Sequence, residues 1–65
     1  MIPPFETFYE THRAEVLRYL NSRLGGQRAE DAFQETFLRA LRAYDRLEHA
    51  DHLRAWILKI GRAHV

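Results

Sequence analysis

The sequence predicts an all-α fold, a three-helix antiparallel bundle-like domain. Apolar residues recur at helical spacing in three separate stretches, the pair Gly25-Gly26 punctuates the first two, and no stretch alternates apolar and polar residues as a strand would. The 65 residues allow one small domain, residues 1–65. A chain of that size buries only about 60% of its unfolded surface, which argues against a large enclosed active site.

The first helix is expected over residues 5–24. Residues 1–4 form a short lead, and Pro3-Pro4 is tolerated at or just before a first helical turn. From Phe5 the apolar and aromatic positions 5, 8, 9, 12, 16, 19 and 20 keep helical spacing. His12 falls on that stripe and reads as a packed histidine with one satisfied nitrogen; Tyr9 and Tyr19 read as the core edge. Gly25-Gly26 is a stop signal, and the short loop over residues 25–27 makes the next helix antiparallel to the first.

The second helix is expected over residues 28–46, and its stretch 29–42, AEDAFQETFLRALR, has two faces. At about 100° per residue, Phe33, Phe37, Ala40 and Tyr44 share one stripe, while Asp31, Gln34, Glu35, Leu38 and Arg42 gather opposite. An ordinary solvated face pairs charges of both signs. This one places two carboxylates and an amide around an outward leucine, the pattern of a docking surface. Glu30 and Asp31 are expected in the first turn, where carboxylates favour the positive end of the helix dipole. That accounts for Glu30, but Gln34 and Glu35 lie too deep in the helix for it.

A connector, residues 45–51, DRLEHAD, breaks the apolar period. Asp51 is a candidate cap for a third helix over residues 52–65. Leu53, Trp56, Ile57 and Ile60 line up at i, i+3, i+4, i+7, which makes Trp56 a core residue rather than a base-stacking platform. Arg54, Lys59 and Arg62 project elsewhere. Gly61 is a poor interior helix residue, costing ~1 kcal/mol against alanine.

Composition narrows the function classes. With no cysteine there is neither a disulfide nor a thiolate zinc knuckle, and a reducing interior fits, so the expected location is cytoplasmic. Of the histidines at 12, 49, 52 and 64 only 49 and 52 have ligand spacing, without a supporting carboxylate pattern; neither a metal nor another cofactor is expected. No apolar run approaches the ~20 residues of a membrane span, and the start lacks the order of a signal peptide. Ser22 has no patterned His or Asp partner, Glu30 and Asp31 diverge by about 100°, and Gly25-Gly26 lacks the lysine of a phosphate loop. An enzyme is not expected. The net charge of +1 does not announce nucleic-acid binding, but the middle of the chain is slightly acidic and the end, with Arg54, Lys59 and Arg62 against Asp51, is basic.

Two stretches resemble a known family. Ala29-Glu30-Asp31-Ala32-Phe33-Gln34-Glu35-Thr36-Phe37-Leu38-Arg39-Ala40 resembles the AED-x-x-QE-x-F-L-R-A signature of bacterial sigma factors of the extracytoplasmic-function type, and Leu53-Arg54-Ala55-Trp56-Ile57-Leu58-Lys59-Ile60 resembles their L-R-A-W-L-x-x-I segment. The resemblance covers residues 5–60 and corresponds to region 2, the promoter-melting domain. It implies that Asp31, Gln34 and Glu35, with Leu38 beside them, dock on the clamp-helix coiled coil of the RNA polymerase largest subunit. It also implies that the connector and third helix meet the non-template strand of the minus-ten promoter element, with one base flipped into a pocket. For that pocket this sequence offers Leu47, Glu48, His49 and His52, and for phosphates Arg54 and Lys59.

Residues 60–65, IGRAHV, depart from the family pattern. They coincide with the translation of a widely used sequencing-adapter end, ATC GGA AGA GCA CAC GTC, so the expectation is that they are non-native and that the gene is a truncated fragment; the coding nucleotides test this. An alternative to DNA binding is a helical interaction module for polymerase or an anti-sigma factor. An ordinary helix-turn-helix repressor fits less well, because the third helix carries a strong apolar stripe.

Overall fold

The computed structural model describes residues 1–63 as three helices, α1 (Phe5–Arg23), α2 (Gly26–Tyr44) and α3 (Leu53–Arg62). All three pairs of helices touch. Pro4 is the N-cap of α1, and its carbonyl accepts from Phe8 N–H at 3.1 Å. At the other end Leu24 N–H donates to Leu20 O at 2.8 Å. The chain then reverses through Gly25 and Gly26, at φ of 72° and 52°, left-handed values that glycine adopts without a Cβ clash.

That reversal is tighter than the expected three-residue loop, so α2 starts at Gly26 rather than residue 28 and ends at Tyr44 rather than 46. One consequence corrects the dipole reading. Glu30 and Asp31 lie in the second turn of α2, whose first turn holds no acid. Asp31 instead accepts a hydrogen bond from Gln27 Nε2 at 3.0 Å.

The core runs along the axis between the helices. It holds Phe8, Val16 and Leu20 from α1, Ala29, Ala32, Phe37, Ala40 and Tyr44 from α2, and Leu53 and Ile57 from α3. Phe8 is the hub: its ring centroid lies 5.2 Å from Tyr44, 5.7 Å from Trp56 and 6.1 Å from Phe37, so one side chain touches all three helices. Aromatic pairs at such spacing contribute ~0.5–1.5 kcal/mol beyond burial. The Tyr44 hydroxyl donates to the Pro3 carbonyl, fastening the lead segment over the end of α2, and burial raises its pKa above the ordinary 10.0.

The buried stripe of α2 is rotated from the expected one. Phe33 is only half-buried, against Phe37 at 5.0 Å and Tyr9 at 6.2 Å, whereas Ala32 and Thr36 are buried. The reason is steric: small residues at 29, 32, 36 and 40 let neighbouring helices approach, and the larger ring is displaced to the rim. Thr36, fully buried, satisfies its hydroxyl by donating to Ala32 O at 2.7 Å. Gly61 is buried against it; a methyl group there would stand 3.7 Å from Thr36 Cγ2, an ordinary contact. Tyr9 and Tyr19 form the half-buried edge expected of them, each with an arginine over its ring, Arg13 at 5.1 Å and Arg23 at 5.3 Å.

Helix α3 begins at Leu53 after an eight-residue connector, 45–52. Asp51 does not cap it. The N-cap is His52, in the left-handed region at φ 64°, with no side-chain cap hydrogen bond; its carbonyl accepts from Trp56 N–H at 2.9 Å. The expected extension of this helix to residue 65 includes His64 and Val65, which lie outside the described residues.

Candidate functional site

Two surfaces flank the core. On the outward side of α2, Asp31, Gln34 and Leu38 are exposed and Glu35 is half-exposed, so the four expected docking residues share one accessible face. Arg39 Nε donates to Glu35 Oε2 at 3.1 Å, one turn along. Exposed pairs of this kind contribute about 0–1 kcal/mol and are easily exchanged for another cation. Leu38 and Leu41 retain 47% and 49% of their surface, which makes them the large apolar side chains left open on this helix. They border a shallow cleft of about 350 Å³ shared with Phe5, Tyr9, Phe33, Gln34 and Phe37. Leu41 was missed at the sequence level, although its place three residues after Leu38 was the available signal.

The second surface is at the connector. Leu47, Glu48, His49 and His52 converge on a pocket of about 280 Å³ that Trp56 and Lys59 close from α3. His49 Nδ1 lies 4.0 Å from Asp51 Oδ2. The structure thus brings together five of the six residues expected to face DNA. Arg54 is the exception. It points toward α1, where its Nε donates to Glu15 Oε1 at 2.9 Å. That hydrogen bond, with the guanidinium charge, holds the Glu15 carboxyl below its ordinary 4.5, and the same pairing raises the Arg54 guanidinium above its ordinary value. In this structure Arg54 is therefore paired with Glu15 on the α1 side and does not line the connector pocket.

Trp56 combines the two roles that the sequence reading set against each other. One side of the indole packs on Phe8 and Tyr44, the latter at 6.4 Å, while the half-exposed remainder borders the connector pocket. His12 packs against Phe8 at 5.1 Å and makes no hydrogen bond among the described residues, so the satisfied nitrogen expected of it is not found. Burial lowers its pKa below 6.5, with Arg54 acting in the same direction and Glu15 opposing.

A polar-and-leucine face on a long central helix, beside a connector pocket walled by a tryptophan, defines a helical recognition module. No described helix is long and apolar enough to cross a membrane. The family model of Sigma-70 region 2 matches residues 8–65, and the chain belongs to that family. Region 2 is a non-catalytic part of a sigma factor, so the chain's role lies in transcription initiation, with RNA polymerase core and promoter DNA as the partners the family implies. Compared with curated proteins and with solved structures, the chain finds no significant match.

Proposed function

We propose that this chain is region 2 of a sigma factor of the extracytoplasmic-function type, a single helical domain that docks on polymerase through α2 and presents its connector to the melted minus-ten element. The observation that carries the docking half is the exposure of Leu38 beside Gln34 and Glu35 on one face of α2. A coiled coil of the clamp-helix kind offers arginines for the Glu35 carboxylate and an apolar seam for Leu38 and Leu41. The intrahelical Glu35–Arg39 pair costs little to exchange for such a partner.

On the DNA side, the connector pocket receives a flipped base of the non-template strand between Leu47, His49 and His52, with the Trp56 indole at its inner wall. A base stacked on an aromatic contributes ~1–3 kcal/mol and asks for no fixed sequence. An anti-sigma factor is a further candidate for the same leucine-bearing face of α2.

Glu35→Lys tests the docking assignment. It reverses the charge at the contact and sits on an accessible position, so helix content measured by circular dichroism is expected to hold. Capture of core polymerase in a pull-down is expected to fall at least about tenfold, equivalent to 1.4 kcal/mol or more. Unchanged capture would remove Glu35 from the interface.

A further inference from the structure

We propose that the outward face of α2 is the interface of a two-fold, antiparallel pair with a second copy of this chain, and that pairing covers the docking face. The pairing stands on charge and exposure alone; only its blocking effect rests on the reading that this face meets polymerase. Exposed Leu38 sits at the middle of the face. Toward the start of α2 lie Asp31 and Glu35, and toward its end Arg42, with Arg46 in the following turn, where its N–H donates to Ala43 O at 3.0 Å. One helix face thus runs from negative to positive across an apolar centre.

The positions match under a two-fold axis. Glu35 and Arg42 lie equally far on either side of the peptide joining Leu38 and Arg39, and so do Asp31 and Arg46. At about 100° per residue all four turn to the same side of Leu38, by about 60°, 40°, 20° and 80° respectively, while Asp45 turns about 20° to the other. A two-fold axis perpendicular to α2 keeps that side and reverses the direction, so Glu35 of each copy meets Arg42 of the other, and Asp31 meets Arg46. Leu38 then faces Leu38. Gln34 and Leu41 fall on the opposite side, where the cleft beside Phe5 and Phe33 opens, so Leu41 of each copy covers the cleft of the other. A parallel pair would instead set Glu35 against Glu35 and Arg42 against Arg42.

The helix dipole does not by itself arrange these charges. Its influence is confined to the terminal turns, and the first turn of α2 holds no acid. Asp31 and Glu35 stand deeper. Arg42 and Arg46 make no ion pair among the described residues, so the basic end is open to the carboxylates of a second copy. The acids' own neighbours, Gln27 at Asp31 and Arg39 at Glu35, are exposed and readily exchanged. Only a partner with the opposite gradient meets both ends, and a second copy turned antiparallel carries that gradient by symmetry.

Sedimentation equilibrium of the full chain from about 10 µM to about 1 mM tests the pairing, a range suited to the modest area of one helix face. The weight-average mass of the wild type should rise from one chain toward two. Glu35→Arg and Arg42→Glu each place like charges at two symmetry-related contacts and should raise the dissociation constant about tenfold or more. The exchange Glu35→Arg/Arg42→Glu in one chain restores both contacts with reversed sign and should bring the constant back to within about threefold of the wild type. Circular dichroism should show all three variants folded. A wild type that stays monomeric throughout that range, or an exchange variant as weak as the single reversals, overturns the pairing and leaves the docking reading standing. Excess core polymerase should dissolve the pair, each polymerase carrying one copy. Two copies held on one polymerase would overturn the block, because the docking face would then lie elsewhere.

Discussion

The outward face of α2 and the connector side of α3 are built in different ways. The first lies along one 19-residue helix whose opposite stripe is buried, so every residue on it is placed by helical geometry alone. The second is assembled from the end of α2, an irregular connector and a 10-residue helix that begins at a left-handed histidine. Its shape depends on contacts between elements, chiefly Phe8 with Trp56 and Glu15 with Arg54. A face of the first kind survives changes elsewhere in the molecule as long as its helix forms. A face of the second kind is sensitive to anything that shifts α3 against α1.

The strongest way to break this contrast is at the hub the two faces share. Phe8→Ala removes a fully buried ring that touches all three helices and should cost ~3–5 kcal/mol. In a domain this small that is most of the stability, so urea unfolding should show a folded baseline that is shortened or lost, and both polymerase capture and DNA binding should fail together.

Gly61→Ala separates the two sides. The added methyl meets Thr36 at 3.7 Å, ordinary contact, and helix propensity favours alanine by up to ~1 kcal/mol. The Tm should rise by about 4 °C while capture of core polymerase through α2 stays unchanged. A fall in Tm would mean that Thr36 and Leu20 cannot yield the space.

Acid gives the smallest effect and acts on the α1–α3 side. Burial lowers the His12 pKa in the folded state below the 6.5 of the unfolded chain, so the unfolded chain binds more protons as the pH drops through that value. Stability is therefore fully present above 6.5 and declines as the pH falls toward the lower folded value. Melting at about pH 7 and about pH 5.5 should show a steeper decline for the wild type than for His12→Gln, which has no such proton to bind. Equal declines would assign the acid response to other groups; the Glu15 contribution is lost only at lower pH, below its ordinary 4.5.

The same contrast explains how much of the molecule was legible beforehand. Helix number, order and approximate extent follow from periodicity and from Gly25-Gly26, and the residues proposed for docking share a face because Asp31, Gln34, Glu35 and Leu38 obey the helical repeat. The repeat did not reveal that Ala32 and Thr36, rather than Phe33, lie innermost, because that choice is made by the closeness of the neighbouring helices. Nor could it reveal the partner of Arg54. Glu15 is 39 residues away in the chain, and only the packing of α3 on α1 brings them together. Asp51 looked like a cap by residue type, but the cap position passed to His52 through its positive φ, a property of the connector's path rather than of its composition.

The bond between the Tyr44 hydroxyl and the Pro3 carbonyl has a practical consequence. It keeps the amino terminus at most ~7 Å of chain from the point where α2 gives way to the connector. Met1 is fully exposed, so a dye coupled to its amine would leave the core undisturbed and stand next to the region where DNA is expected. Energy transfer from that dye to one on an oligonucleotide would then report the polarity of the bound strand, which neither helix order nor affinity reveals.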